Sequence, residues 1–248
     1  MAQAASFHNL DGRAFKEYAD FTHTLAGFAA EKPDKAFGKA VCLTIEWLRY
    51  FDGISEDNPT ASNLHFQSKC FKLFHSGPIK VVKGLFSGKE KDNSLNYATT
   101  RLWQDPSMAN VAQEIRSINS LVGPAYDTFD LGAKAFFSVD KTAPALVAFK
   151  NVNSMSLVLG MGWNVVDTCV KIGSQETAEK QIKLANEKLF DTIVNISYIA
   201  IGVLALLSAY FAFVFEPIIF TALSTSTLIF GMLDYFNKNL GKEIKPLI

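Results

Sequence analysis

The chain has 248 residues, of which 49% are hydrophobic and 19% charged, and its 24 basic and 24 acidic side chains cancel. It is more apolar and less charged than a typical soluble domain, and its zero net charge gives no electrostatic attraction toward nucleic acid. Three widely spaced cysteines favour a reducing compartment over a disulfide framework.

Apolar residues fall at helical spacing along nearly the whole chain, which predicts an all-α fold. The first clear element covers residues 33–51 and begins with a proline at a first-turn position. Its apolar side chains lie on one face, whereas charged side chains, including Lys35 and Lys39, lie on another. Residues 52–63 are polar and acidic, so residues 1–63 are predicted to form an amphipathic helical region that ends in a linker.

Residues 65–91 combine lysines with large apolar side chains and contain a single acid, Glu90. This pattern is typical of a segment that lies on an anionic membrane surface, but it equally fits a helix packed on its neighbours with its lysines in water. The absence of arginine disfavours a third interpretation, single-strand nucleic-acid binding. The segment opens a region, residues 64–190, that we predict to be helical and cytosolic or interfacial. Its lysines are Lys69, Lys72, Lys80, Lys83, Lys89 and Lys91.

Two further helices are predicted within this region. The first, over residues 108–138, is expected to break at Gly123 and Pro124. The second, over residues 151–166, is uncharged but shorter than a spanning helix, which favours an interfacial or partly inserted position. A charged stem over residues 180–188 then leads into the most apolar part of the chain.

Residues 192–233 form a run of about 42 predominantly apolar residues, which would extend roughly 63 Å as a helix. That length crosses a bilayer core of roughly 30 Å twice. Glu216 and Pro217 divide the run, because proline interrupts a helix and a carboxylate favours water or head groups. We therefore predict a transmembrane helical hairpin over residues 191–237 that turns at Glu216 and Pro217, followed by a short basic tail over residues 238–248.

The two predicted hairpin helices cover residues 193–215 and 218–236. Small residues recur along the first helix at a spacing suited to close helix contact, and hydroxyl side chains of the second can bond to their own backbone or to the first helix. The alternative, a buried hairpin within a soluble bundle, is disfavoured because bundle helices keep a wet face. Lysines flank the hairpin on both sides, which predicts two cytosolic termini. The small residues are Gly202, Ala205, Ala209 and Ala212.

The sequence offers no support for catalysis. Its four histidines show no HExxH or other paired metal spacing, and CxxC, GxSxG and P-loop motifs are absent. A run that begins at Gly160 departs from GxGxxG at Val165 and has no strand–turn–helix context. We therefore expect no enzyme activity, no metal site and no cofactor.

Four segments of the chain occur in an order shared with a known family of membrane proteins. They are PDKAFGKAVCLTIEWLRYF, EIRSINSLVGPAYDTFDLGAKAF, LVLGMGWNVVDTCVKIG and STSTLIFGMLDYFNKN. The first resembles the helix near the start of the peroxin-11 family, and the others resemble that family's second region, semi-hydrophobic segment and closing membrane helix. The second region is dense in arginine and lysine in the family but holds only Arg116 and Lys134 here, which suits a divergent branch such as the glycosomal relatives.

The resemblance implies an integral protein of the peroxisomal or glycosomal membrane. Such a protein elongates and proliferates the organelle, works with the organelle-division machinery and forms homo-oligomers. Amphipathic helices that insert roughly 5–10 Å into one leaflet expand that leaflet and favour curvature. We hypothesise that the membrane wedge consists of Phe37, Val41, Ile45, Trp47 and Leu48. We expect anionic lipid head groups to contact Lys69, Lys72, Lys80 and Lys83.

Two other classes of membrane protein fit the hairpin. A bacterial inclusion-membrane effector also carries paired hydrophobic helices with both ends in a host cytosol, and it acts as a docking platform. In that case the first few dozen residues serve as a secretion signal. A small pore or carrier needs polar residues that face a shared lumen, for which the candidates are Ser224, Thr225, Ser226 and Thr227.

Overall fold

The computed structural model is all-α, because every regular element in the part of the chain that it describes is helical. This confirms the predicted fold class. Lys89, Lys91 and the predicted basic tail after Leu240 lie outside the described residues. The backbone is described for residues 2–87, 94–136, 140 and 143–240, and side chains from Lys16 onward within these ranges except at residues 76, 79 and 133–136.

Nine α-helices and one π-helical turn follow one another along the described chain. They are α1 (Ala2–Glu31), the π turn (Asp34–Lys39), α2 (Ala40–Tyr50), α3 (Pro59–Ser76), α4 (Pro78–Phe86), α5 (Leu95–Gln104), α6 (Met108–Phe136), α7 (Pro144–Gly173), α8 (Ala178–Phe211) and α9 (Pro217–Asn239). The last four helices pack in sequence order, α6 on α7, α7 on α8 and α8 on α9, and α2 packs on the other side of α9.

Local signals in the sequence explain where several helices begin. At the start of α3, the Ala61 amide donates to Asn58 Oδ1 at 3.0 Å, and at the start of α8 the Lys180 amide donates to Thr177 Oγ1 at 3.4 Å. Such caps satisfy amides that lack an intrahelical acceptor. Prolines open α3, α4, α7 and α9, where the missing N–H removes no helical hydrogen bond.

The break expected at Gly123 and Pro124 does not occur, since α6 continues through both residues. A proline inside a helix removes one amide donor and usually bends or ends the helix. Here α6 packs against α3, α4, α5 and α7, and Thr128 Oγ1 donates to the Pro124 carbonyl at 2.7 Å. Tertiary packing therefore maintains the helix across the proline.

The hairpin differs from the prediction in its boundaries. The charged stem and the first apolar helix form one helix, α8, of 34 residues, or roughly 51 Å. α8 ends before residue 215, because Ala212 adopts a left-handed conformation with φ 54° and ψ 25°. Residues 212–216 connect the helices, and Pro217 begins α9 with the exposed Glu216 at its N-cap. The connection is therefore wider than a tight turn at Glu216 and Pro217.

Replacing Ala212 with glycine is expected to stabilise the protein by about 1 kcal/mol. The left-handed conformation costs an L-residue roughly 1–2 kcal/mol, and the greater freedom of glycine in the unfolded chain offsets part of the gain. The thermal unfolding midpoint in detergent should rise by about 2–4 °C. As the matched control, Ala209→Gly lies within α8 and should lower stability by about 1 kcal/mol. Two changes of the same sign would contradict the strain at Ala212.

α8 and α9 are the described helices that are long and apolar enough to cross a membrane. In their most apolar windows only 28% and 17% of the residues are buried. A central helix of a soluble bundle would be mostly buried there, so these values favour a membrane hairpin over the soluble alternative.

Among the described residues, many polar side chains are buried and many large hydrophobic side chains are exposed, unlike in a soluble domain. Eleven polar or charged side chains are buried against ten hydrophobic ones, and thirty-five large hydrophobic side chains are exposed. Soluble domains bury mainly apolar side chains, whereas helices in a bilayer turn polar groups inward. The pattern agrees with a membrane protein.

The small residues predicted for helix contact fall into two groups. Gly202 and Ala205 are buried, and a Cβ added at Gly202 would lie 2.8 Å from the Ser154 carbonyl oxygen of α7. Ala209 is exposed, and Ala212 lies beyond the end of α8. Close packing at Gly202 therefore joins α8 to α7.

α8 contacts α9 through other side chains. The rings of Phe190 and Phe230 lie 6.1 Å apart, and the hydroxyl oxygens of Ser197 and Ser226 are separated by 3.0 Å. The contact between these hydroxyl groups is the predicted bond from the second hairpin helix to the first. The predicted bond of a hydroxyl group to its own backbone also occurs, since Thr225 Oγ1 donates to its own helix at Thr221 O, 2.8 Å away.

Candidate functional site

Threonine hydroxyl groups of α9 also bond to side chains of α2 and of the π turn. Trp47 Nε1 donates to Thr225 Oγ1 at 2.9 Å, and Thr221 Oγ1 donates to Glu46 Oε2 at 3.0 Å. Lys39 Nζ donates to Thr227 Oγ1. These bonds place α2 beside the apolar hairpin and bring its charged side chains toward the interior of the bundle.

A basic cavity of about 770 Å³ opens between the π turn, α2, α3, α4 and the helices α6 to α9. Three carboxylates, those of Asp34, Glu46 and Asp127, line it. Twice as many cations line it, namely Lys35, Lys39, Lys69, Lys72, Lys80 and Arg116. We call this space the basic cavity.

Three of these cations are held by carboxylates. Lys72 Nζ lies 2.8 Å from Asp127 Oδ2, and Lys80 Nζ lies 3.6 Å from an oxygen of Asp34. Burial lowers the pKa of Lys72, but the Asp127 carboxylate outweighs this effect and holds the pKa above its ordinary value. These pairs tie α3 to α6 and α4 to the π turn.

Arg116 connects α6 to α7 at another wall of the basic cavity. Its Nη2 donates to Asp167 Oδ2 at 2.9 Å, and its Nε donates to Asn164 Oδ1 at 3.2 Å. Because Asp167 and Asn164 are three residues apart on α7, one guanidinium reaches both. The Arg116 charge is therefore balanced within the α6–α7 contact.

Glu46 is already engaged by two other groups. It accepts the Thr221 hydrogen bond, and its Oε1 lies 3.3 Å from His65 Nε2. Burial raises the pKa of Glu46, but the hydrogen bonds from His65 and Thr221 outweigh it and hold the pKa below its ordinary value. Glu46 is thus a carboxylate whose hydrogen-bonding capacity is largely used.

Three lysines of the basic cavity, Lys35, Lys39 and Lys69, have no carboxylate at ion-pair distance in the described part of the chain. Lys39 Nζ lies 5.4 Å from the centroid of the Tyr198 ring, a cation–π arrangement. Burial lowers the pKa of Lys39, with a further contribution from neighbouring lysines. The cavity therefore holds an excess of positive charge that an anion would neutralise.

The basic cavity lies at the depth of the apolar hairpin. Tyr198 and Ile201 of α8 and Ser224 of α9 line it, and all three fall within the predicted membrane segment. Ionisable side chains at such a depth are costly and occur where they bind ions, protons or substrates. Among the described residues, no group of three His, Cys, Asp or Glu side chains is placed to hold a metal ion. The arrangement is suited to binding an anion such as a phosphate.

The structure brings together three of the four lysines predicted for head-group contact. Lys69, Lys72 and Lys80 line the basic cavity, whereas Lys83 is exposed and lies outside the lining. Sequence reasoning missed Lys35, Lys39 and Arg116 as members of the site. The charged face predicted for residues 33–51 was a signal for Lys35 and Lys39, but only the tertiary contacts show what that face meets.

The five residues of the hypothesised wedge do not share one exposed face. Phe37 and Leu48 are 55% and 41% exposed, whereas Ile45 is 4% exposed and packs in the interior. Val41 is partly buried, and Trp47 faces α9 through its bond to Thr225. Phe37 continues onto α3, where its ring lies 6.4 Å from that of Phe71. The exposed apolar surface therefore extends toward α3 and α4.

Comparisons with protein-family models, curated proteins and solved structures gave no significant match.

Proposed function

We propose that this chain is an integral membrane protein that binds the anionic head groups of its own membrane and, as a homo-oligomer, shapes and elongates that membrane. By the peroxin-11 resemblance, the membrane belongs to a peroxisome or glycosome, with both termini of the protein in the cytosol. The observation that carries the proposal is a surface of exposed apolar side chains on the same helices as three lysines of the basic cavity.

This surface lies on α3 and α4. Phe71, Phe74 and Phe86 are 37%, 72% and 73% exposed, and Lys69, Lys72 and Lys80 occupy the same two helices. Apolar side chains next to lysines are the features of a helix that lies in a membrane interface, with its rings in the acyl region and its ammonium groups at the phosphates. With the hairpin as an anchor, such helices would expand the leaflet in which the lysines lie.

The test compares vesicle remodelling by the full-length wild-type protein and by the double variant Phe74→Ser, Phe86→Ser. Wild-type protein is expected to form tubules from phosphatidylcholine vesicles that contain phosphatidic acid, and none from phosphatidylcholine alone. The double variant should lose most tubules, because burying each phenylalanine in the leaflet contributes about 1.5–3 kcal/mol. Electron microscopy measures the tubule number.

Trp103→Ser is the matched control, since Trp103 is 84% exposed and belongs to α5, not to α3 or α4. It should form tubules as the wild type does. All three proteins should resist alkaline carbonate, which shows that the hairpin remains inserted. Tubules that are independent of phosphatidic acid, or equally frequent in the Phe74 and Phe86 variant, would refute the proposal.

A second candidate function, a small anion pore or carrier, is favoured by one observation. Polar side chains of α2, α6 and α7 face the basic cavity at the depth of the hairpin, as a solute site would require. Planar-bilayer conductance in chloride and phosphate separates the two functions, because a membrane-shaping protein without a continuous lumen carries no current.

A further inference from the structure

A second cavity, of about 620 Å³, lies between α4, α6 and the N-terminal part of α7. Its lining is apolar and includes Val81, Phe129, Leu146 and Phe149. Among the described residues of the lining, Thr128 is the one with a hydroxyl side chain, and its hydroxyl group already donates to the backbone of its own helix. We call this space the apolar pocket.

The basic cavity and the apolar pocket share three helical walls. On α6, Asp127 faces the basic cavity and its neighbour Thr128 lines the apolar pocket. On α4, Lys80 lines the basic cavity and its neighbour Val81 lines the apolar pocket. On α7, Asn153 of the basic cavity and Phe149 of the apolar pocket are four residues apart, which is roughly 6 Å along the helix axis.

The two spaces are arranged along the hairpin in the order of a lipid in one leaflet. α7 runs antiparallel to α8 and meets it where Ser154 approaches Gly202. The N-terminal end of α7, which carries Leu146 and Phe149, therefore points toward the hairpin turn. The apolar pocket therefore lies closer to the hairpin turn than the basic cavity, whose α7 residues Asn153 and Leu157 come later along that helix.

We propose that the two spaces form one site for a single anionic phospholipid, whose phosphate lies among Lys35, Lys39 and Lys69 and whose acyl chain occupies the apolar pocket. Both volumes fall within the range of roughly 300–1,000 Å³ that is usual for ligand sites. The inference rests on the proposed function, which it deepens by assigning a specific lipid site apart from the exposed surface of α3 and α4. A phosphate group is also present in inorganic phosphate and in glycerol phosphate, and only the apolar pocket distinguishes a lipid from these.

Gly132 is a position from which a larger side chain can enter the apolar pocket. It lines the pocket, and a Cβ added there meets no atom within 4 Å. Gly132→Phe should therefore take the space of the acyl chain and leave the lysines in place. Gly162→Phe is the matched control, because Gly162 of α7 is equally open and lines neither space.

The experiment measures binding of dioleoyl phosphatidic acid, dioleoyl phosphatidylcholine and glycerol 3-phosphate to the full-length protein in detergent. Native mass spectrometry should show one phosphatidic acid retained in preference to phosphatidylcholine. Gly132→Phe should weaken its retention at least about tenfold, since each methylene excluded from an apolar site changes affinity about fourfold. Binding of glycerol 3-phosphate to Gly132→Phe, measured by calorimetry, should stay within about twofold of wild type, because the lysines are unchanged. Gly162→Phe should match wild type in both measurements and in its unfolding midpoint.

Three results would overturn the inference. The first is unchanged retention of phosphatidic acid by Gly132→Phe, and the second is equal affinity of wild-type protein for glycerol 3-phosphate and phosphatidic acid, which would indicate a site for free phosphates. The third is wild-type protein that forms tubules but retains no phosphatidic acid. This third result would refute the lipid site and leave the proposed function standing.

Discussion

Replacing both Lys35 and Lys69 with glutamine is expected to weaken phosphatidic acid binding about 30-fold. These two lysines line the basic cavity and have no carboxylate partner in the described chain. A lysine at an anionic lipid surface contributes about 1 kcal/mol, and a loss of about 2 kcal/mol corresponds to a factor of about 30 in affinity. Glutamine keeps most of the side-chain volume, so the fold should be retained. Titration of the detergent-solubilised protein with a fluorescent short-chain phosphatidic acid measures the change.

A double variant with the same loss of charge provides the control. Lys83 and Lys183 are exposed and lie outside the basic cavity. Their replacement with glutamine should change affinity less than about twofold, because exposed charges are screened by salt. Equal weakening by the two double variants would show that general surface charge, and not the basic cavity, attracts the lipid.

The membrane hairpin could be predicted from the sequence because its signal is local. A long run of apolar residues is required to cross a bilayer whatever surrounds it, and the proline at position 217 marks the start of α9 in the structure as in the sequence. The end of α8 was less predictable, since it depends on the left-handed conformation of Ala212. Alanine carries no sequence signal for that conformation, which glycine or asparagine usually adopts.

The continuity of α6 shows where local rules fail. The Gly123–Pro124 pair predicts a break from chain chemistry alone, but contacts from α3, α4 and α7 outweigh the lost hydrogen bond. Periodicity also shows which face of a helix is polar, not which helix will cover that face. For this reason the lysines on one face of α3 could be grouped in advance, whereas Arg116 could not.

The hypothesised wedge illustrates the same limit. Its five residues were grouped on the apolar side of one helix, but α9 covers that helix at Trp47 and the interior takes Ile45. The hydroxyl groups of α9, which lower its apolar character, are the residues that bind α2. Polar residues in a membrane helix thus indicated a helix contact, as the cost of leaving them in lipid requires.

Gly202→Leu is expected to produce the largest loss of stability among single substitutions in the hairpin. A Cβ at position 202 would lie 2.8 Å from the Ser154 carbonyl oxygen and 2.9 Å from Val158 Cγ2, and a backbone carbonyl cannot move aside without displacing α7. Overpacking of this kind costs about 1–3 kcal/mol and sometimes more. The unfolding midpoint in detergent should fall by about 6–12 °C for a loss of about 3 kcal/mol.

Ligand binding should fall with stability in Gly202→Leu, because α7 and α8 each provide a wall of the basic cavity through Leu157 and Tyr198. Ala209→Leu is the matched control on the same helix, and since Ala209 is exposed its effect should stay within about 0.5 kcal/mol. Both positions belong to the stripe of small residues seen in the sequence. The comparison therefore shows whether the loss of stability comes from the contact with α7 at Gly202 or from any large residue in that stripe. Equal tolerance of leucine at both positions would mean that α7 and α8 do not pack closely at Gly202. The α7 and α8 walls of the basic cavity would then not lie next to each other as described.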